Sequence, residues 1–339
     1  ASKAAFKQVV RAGTPLGDDG IDRSYLEAEV RAVIKGRGIR SLEEYLKVLR
    51  TGRGTRFDPS RRRQAWDYMK EWDAGMAQRD TLDFADTITR AVEHAQGFTG
   101  PWYRAAVIDE AQDLTLMGLQ LVRALVNGKR DDDRDDGLLI VGDGAQRIYP
   151  GAFTLRQAGV EVRGRTTVLR LNYRNTAEIL AAATTVLGNG PVVDMDDEDS
   201  DAPNRFEEER AEASRSGLRP LLVDCGDDER ENVFLVKQIK NVVASGVVGY
   251  GDIGVFVPIN SMVKATVKRL NEGGVSAVPL KQYDGIPSPE VKVGTYARSK
   301  GLEFKVVLLP RVKAGTVPHE QRANQSDEAY AEQRALEVN

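Results

Sequence analysis

The chain has 339 residues, of which 41% are hydrophobic and 29% charged, and 48 Lys/Arg against 51 Asp/Glu leave a net charge of −3. That length accommodates two or three domains, and the composition is that of an ordinary globular protein, neither disordered nor fibrous. No apolar run is long enough to span a bilayer, and the lone Cys225 excludes an internal disulfide framework and, with only His94 and His319 beside it, argues against a zinc site.

Residues 1 to 100 read as helical, with no strand pattern. Leu26, Val30 and Val33/Ile34 recur at helical spacing between Tyr25 and Ile34, and Leu42, Tyr45, Leu46 and Leu49 repeat the pattern. From Lys35 to Arg63 the chain carries ten Lys/Arg against three Asp/Glu. A basic arm on an otherwise acidic chain is an electrostatic footprint for nucleic acid. Arg50-Thr51-Gly52-Arg53-Gly54-Thr55-Arg56 is a Gly-punctuated basic loop of a kind that follows a phosphate backbone closely. Arg61, Arg62 and Arg63 extend it, Ser60 is expected to cap the next helix, and Trp66 and Trp72 read as core residues. Asp80 or Thr81 is expected to cap a helix whose stripe is Phe84/Ala85, Ile88, Ala91/Val92 and Ala95, ended by Gly97.

Ala105-Ala106-Val107-Ile108 then runs into Asp109-Glu110-Ala111-Gln112-Asp113. Unbroken apolar residues are what a strand covered on both faces shows, so this predicts a buried parallel strand delivering carboxylates at its tip. Ligands of such sheets bind at the carboxyl ends of the strands. Two adjacent carboxylates there can divide the work, one holding Mg²⁺ on a nucleotide triphosphate and the other taking a proton from water. A crossover helix follows, with Leu116, Leu119, Val122 and Leu125/Val126 on one face. Gly137 to Val141 predicts a second buried strand, ending at Gly142-Asp143, and Thr167 to Leu171 a third, running into Asn172-Tyr173-Arg174-Asn175. Asn175 with Glu178 predicts a capping box for a helix from Thr176 to Leu187, which would fix the loop holding Tyr173 and Arg174.

Asp194 to Glu212 holds ten acids and two arginines with almost no apolar periodicity, which reads as a linker or mobile loop. Beyond it, strands expected at Leu221 to Asp224, Ile253 to Val257, Val275 to Val278, Val291 to Val293 and Val306 to Leu309 alternate with helices near Glu229 to Ala244 and Ser261 to Asn271. The alternation predicts a second parallel α/β domain.

Four stretches, in order and spacing, resemble the motifs of UvrD/Rep-type superfamily 1 DNA helicases. Asp109-Glu110-Ala111-Gln112-Asp113 resembles the Walker B motif, and Gly142-Asp143-Gly144-Ala145-Gln146-Arg147-Ile148-Tyr149 resembles motif III. Leu171-Asn172-Tyr173-Arg174-Asn175 resembles motif IV, and Lys300-Gly301-Leu302-Glu303-Phe304 part of motif V. The resemblance implies an α/β fold with RecA-like parallel sheets, the P-loop NTPase helicase core in two domains, and an N-terminal helical insertion subdomain. On that reading residues 1–80 are the helical subdomain with the basic arm, 81–190 the later half of the first RecA-like domain, 191–217 an acidic linker and 218–339 the second RecA-like domain.

The resemblance further implies roles for single residues. Asp109 would hold Mg²⁺, Glu110 would be the base for water, Gln146 would sense the γ-phosphate and Arg174 would stabilise charge on the transferred phosphoryl group. Tyr173 would stack on adenine, and Gly301 and Glu303 would line the nucleotide, Glu303 accepting from the ribose hydroxyl. Tyr149, Thr295 and Arg298 would face DNA, and the charge of the basic arm adds Arg53 and Arg56 to that face. The implied cofactors are ATP and Mg²⁺, the partner single-stranded or partly duplex DNA with no membrane, the site of action the cytoplasm, and the activity 3′-to-5′ translocation and unwinding.

Three features depart from the family. No Gly-x-x-x-x-Gly-Lys-Ser/Thr loop and no arginine-bearing motif VI occur, which implies a piece of a longer helicase, inactive as an ATPase by itself. The short stretch between Pro258 and Val291 has no room for the large helical insertion of UvrD-type enzymes. Ala297 stands where motif V carries a histidine, and Arg298 or Tyr296 is available to take over its contact. Two other readings stay open: a catalytically silent DNA-binding or scaffold module, and the helicase part of a helicase-nuclease.

Overall fold

The computed structural model describes residues 23–48, 57–98, 102–127, 137–143, 153–162, 164–167, 169, 171–187, 212–317 and 319–321, together with Asp327, Tyr330 and Arg334. The chain divides into two compact units, one of residues 1–218 with 321–339 and the other Arg219–Glu320.

The first unit begins with a helical part around one apolar cluster. Helix α1 (Arg23–Ala28) runs without a break into a π-helical stretch, Glu29–Lys35, whose Val30, Val33 and Ile34 are fully buried. Helix α2 (Leu42–Lys47) starts at Ser41, whose side chain accepts from the Glu44 backbone N–H. Helix α3 (Pro59–Ala77) supplies Trp66, Tyr68, Met69, Trp72 and Met76 to the same cluster, so both tryptophans are core residues as expected. Its cap is Asp58, accepting from Arg61 N–H, and not Ser60. Proline at the first helical position fixes the start two residues earlier than the serine suggested.

Helix α4 (Phe84–Gly97) is also capped differently from expectation. Asp83 accepts from the Asp86 N–H and Asp86 reaches back to the Asp83 N–H, a reciprocal capping box that starts the helix after Asp83 instead of after Asp80 or Thr81. Among the described residues before 100 there is no strand.

Strands β1 (Ala106–Ile108) and β2 (Leu138–Ile140) pair in parallel with Ala106 opposite Leu138 and Ile108 opposite Ile140. Helix α5 (Leu116–Asn127) provides the crossover between them. Ile108, Ala111, Leu119, Phe153, Leu155 and Ala158 pack as one cluster. The expectation of strands covered on both faces is corrected here. Val107 and Leu139, register partners, are 73% and 58% exposed, because successive strand residues face opposite sides and only one side of this pair is packed.

The third strand also differs. Strand β3 is Leu171–Thr176, so the Leu-Asn-Tyr-Arg-Asn stretch lies within the strand and not after it. Its parallel partner is β4 (Glu212–Arg215), inside the segment read as linker. The register shifts between Asn172 and Thr176. Helix α6 (Ala177–Leu187) follows directly.

The second unit holds a four-stranded, all-parallel sheet in the order β6-β7-β5-β8, from β5 (Ile253–Val257), β6 (Ala277–Pro279), β7 (Val291–Thr295) and β8 (Val306–Leu308). Helices α7 (Asp228–Ala244) and α8 (Asn260–Glu272) supply Leu235, Ile239 and Leu270 to its core. Here the continuous apolar pattern is fulfilled, for every residue of β5 is buried. No strand forms at Leu221 to Asp224; Leu221 and Leu222 are about nine-tenths exposed, since an apolar run gains nothing as a strand without a ladder partner. Among the described residues no helix is long and apolar enough to cross a membrane.

Candidate functional site

Two carboxylates and one buried amide converge at the tip of β1. Past Ile108 the β1–β2 ladder continues for two more bonds, Val141 N–H to Ile108 C=O at 2.8 Å and Ala111 N–H to Val141 C=O at 3.0 Å. Between those two rungs the chain turns sharply, with Glu110 in the left-handed region at φ 53° and ψ 40°. A residue with a Cβ held there stores roughly 1–3 kcal/mol of strain, a cost that clusters at functional sites. Asp109 offsets part of it, its Oδ1 accepting from the Glu110 N–H at 2.8 Å. The turn projects Asp109 to solvent and leaves Glu110 half-buried.

Gln112 closes this turn from beneath. It is 2% exposed, its Nε2 donates to Glu110 Oε2, and its Oε1 accepts from the Asp143 N–H at 3.0 Å. The donor set at the tip is carboxylate oxygen, the hard ligand that suits Mg²⁺ better than a soft metal.

Tyr173 and Arg174 sit in the shifted part of β3. The Asn172 side chain accepts from the Arg174 N–H at 2.9 Å and the Asn175 N–H at 2.8 Å, so Asn172 shapes this segment. The capping box expected from Asn175 and Glu178 is not made. Thr176 Oγ1 accepts from the Ile179 N–H, and the Glu178 carboxylate takes the Ser216 hydroxyl at 2.6 Å and the Gly217 N–H at 2.8 Å. Those bonds, the Ser216 hydroxyl first, lower the Glu178 pKa to about 2. Tyr173 is 67% exposed and Arg174 is exposed.

In the second unit, Thr295 ends β7 and is followed by the short helix α9 (Tyr296–Ser299), which carries Arg298. Gly301 then adopts φ 77°, a left-handed turn that glycine makes without strain, and Glu303 is exposed just beyond it. Thr295, Arg298, Gly301 and Glu303 therefore share the carboxyl end of one parallel strand. The Tyr296 hydroxyl is buried and has no hydrogen-bond partner among the described residues, and burial pushes its pKa up to about 12. Arg311 is held by Glu231 and, at 3.0 Å, by Asn232 Oδ1 of α7, fixing the chain after β8. Gln146, Tyr149, Arg53 and Arg56 lie outside the described residues.

Sequence reasoning missed two constellations. One is the Gln112 bridge, whose only signal was an amide among acids. The other joins Lys35 to Asp73, Asp83 and Asp86 at 2.5, 2.7 and 2.8 Å. The three carboxylates could converge on a metal ion, but the Lys35 ammonium occupies their centre. A lysine ending an apolar stripe was the available hint.

A parallel strand delivering paired acids at its carboxyl end is the layout of nucleotide-handling α/β proteins. Residues 26–160 match the family model of the UvrD/REP helicase N-terminal domain. The chain is 29% identical over 231 residues to "ATP-dependent DNA helicase UvrD1" of Mycobacterium tuberculosis, covering 64% of this chain and 28% of that protein. It is 26% identical over 188 residues to "ATP-dependent DNA helicase HMI1, mitochondrial" of Saccharomyces cerevisiae, covering 53% and 25%. It is 23% identical over 235 residues to "Probable DNA helicase II homolog" of Mycoplasma capricolum, covering 64% and 29%. The chain thus spans less than a third of the length of these relatives. At modest identity and over part of its length, the chain is similar to UvrD-type superfamily 1 helicases, in line with the motif resemblance.

Proposed function

We propose that this chain belongs to an ATP-dependent translocase and helicase acting on single-stranded or partly duplex DNA in the 3′-to-5′ direction, in the cytoplasm. The observation that carries the reading is the β1 tip, where Asp109 and a strained Glu110 stand side by side within the segment that matches the helicase family. A Mg²⁺ ion bound with the nucleotide would neutralise charge on its phosphates. Asp109 is the residue to hold it, and Glu110, held by Gln112, is the base that takes the proton from the attacking water. Arg174 stabilises the charge developing on the phosphoryl group, a task suited to a planar, permanently charged donor. Gln146 senses the γ-phosphate, Tyr173 stacks on adenine, and Gly301 and Glu303 line the nucleotide. Tyr149, Thr295, Arg298, Arg53 and Arg56 contact DNA. The domain division at 80, 190 and 217 belongs to the same proposal, with a helical insertion subdomain preceding two RecA-like domains.

Glu110→Gln in the full-length protein tests it. The variant keeps the side chain's shape and loses the base, so DNA-stimulated ATP hydrolysis should fall on the order of 10²-fold or more while nucleotide binding persists. Near-parental turnover would assign the base to another residue, and a parent without DNA-stimulated hydrolysis would overturn the function.

A further inference from the structure

Gln112 uses both ends of one planar amide on the two strand tips. Its Nε2 donates to the Glu110 carboxylate after β1, and its Oε1 accepts from the Asp143 N–H after β2. The orientation of that amide is determined. Flipped, it would set oxygen against carboxylate and N–H against N–H, two repulsions in a place 2% exposed, where water cannot repair them.

The neighbourhood is shaped to this group. A Cβ on Gly142 would lie 2.8 Å from Gln112 Oε1, so any larger residue there forces the amide aside. Glu110 itself is pinned twice, by its N–H on Asp109 Oδ1 and by its carboxylate on Gln112, which is how a left-handed backbone with a long side chain holds one position.

We infer that Gln112 is a positioning residue that locks the Glu110 carboxylate to the backbone of Asp143, making the strand end that leads to Gln146 and the carboxylate beside Asp109 a single mechanical unit. The inference rests on the proposed role of Glu110 as base. Gln112 touches no reacting atom; it sets where Glu110 stands and transmits displacement of the β2 tip to it. Gly142 has its small size because the Gln112 amide occupies the space of a side chain.

The test uses the full-length protein with Gln112→Leu, Gly142→Ala, and Gln112→Leu combined with Glu110→Gln. Gly142→Ala moves the amide without altering either partner, so it decides the matter should Gln112→Leu fold poorly. Each single variant should lower kcat for DNA-stimulated ATP hydrolysis roughly 10- to 100-fold and leave KM for ATP within about twofold. In the Glu110→Gln background Gln112→Leu should lower kcat no further, because its effect acts through Glu110. Two readouts are independent of turnover: the Asp143 amide should exchange its hydrogen faster in both single variants, and NMR relaxation should show a more mobile Glu110 side chain. An unchanged kcat, a full additional loss in the Glu110→Gln background, or unchanged Asp143 exchange and Glu110 mobility would overturn the inference. A parent that hydrolyses no ATP would overturn the proposed function instead, while exchange and relaxation still decide whether Gln112 joins the two tips.

Discussion

Arg62 directs its guanidinium into the protein. Its nitrogens donate to the carbonyls of Tyr45 at 2.5 Å, Val48 at 3.0 Å and Phe57 at 3.2 Å, and its carbon lies 5.6 Å over the Tyr45 ring. These bonds satisfy the last carbonyls of α2 and the turn before α3, so Arg62 is removed from the basic surface on which sequence reasoning placed it. Arg62→Gln should lower stability by about 1–3 kcal/mol, read as a denaturant midpoint, and leave the salt dependence of single-stranded DNA affinity as it was. Replacing Arg53 and Arg56 together by Gln should flatten that dependence by about 1.4 in log–log slope, because each lost phosphate contact removes about 0.7. A slope that changes with Arg62, or that stays the same without Arg53 and Arg56, would mean that nucleic acid follows another path. Charge counting found the arm but could not say which cations have partners. Lys35, Arg40, Lys47 and Arg62 all do, and those partnerships depend on residues up to 53 positions away.

Lys35 does for elements what Arg62 does for a turn. It joins the π-helical stretch to α3 through Asp73 and to the start of α4 through Asp83 and Asp86, with the Trp72 ring 5.5 Å below its ammonium. Burial acts to lower its pKa and is the largest single influence, yet the hydrogen bonds to the three aspartates together hold it above the ordinary lysine value of 10.5. Burial likewise raises the Asp86 pKa. Lys35→Met should therefore leave three facing carboxylates without their cation and cost about 3 kcal/mol or more of stability. The sign with pH follows from a raised folded pKa: the contribution is complete below 10.5 and is lost as pH climbs through the higher folded value. Parent and variant should thus converge in strongly alkaline solution, as tryptophan fluorescence during denaturation would show; a constant gap across that range would contradict the ion cluster. Helix positions were legible because apolar spacing is local, as in α7 and α8. Caps and strand pairing were not, since Asp83 wins over Asp80 and Thr81 only through its reciprocal bond with Asp86, and Glu212–Arg215 becomes a strand only because β3 lies beside it. At the candidate site, the acids at the β1 tip were readable as a motif, whereas the Gln112 bridge needed Asp143, 31 residues on.

At the scale of the molecule the two compact units meet in sequence at residues 218 and 219. The irregular stretch there exposes Leu218, Leu221 and Leu222 at 92%, 87% and 91%. A protease that prefers large apolar residues should cut here before it cuts inside either unit, yielding, once separated from the first unit to which residues 321–339 belong, a piece beginning near Arg219 that keeps its own core of Leu235, Ile239, Val255, Leu270 and Val293. Mass spectrometry of a brief digest and cooperative thermal unfolding of the released piece are the measurements. First cleavage within α7 or β5, or a released piece with no transition, would show that the second unit depends on the rest of the chain.

The strand order of that unit bears on its birth as well as on its shape. Strand β5 is the first of the four to be synthesised, yet both of its ladder partners, β7 and β8, follow it. While the ribosome is still making residues 258–305, β5 therefore waits with at least one hydrogen-bonding edge unsatisfied and with four apolar side chains and one glycine in its five residues. A parallel ladder offers no adjacent hairpin to shelter it. Through that interval β5 is an open, apolar strand edge of the kind that invites pairing with other chains, and the interval ends when Val306–Leu308 clears the exit tunnel and completes the ladder.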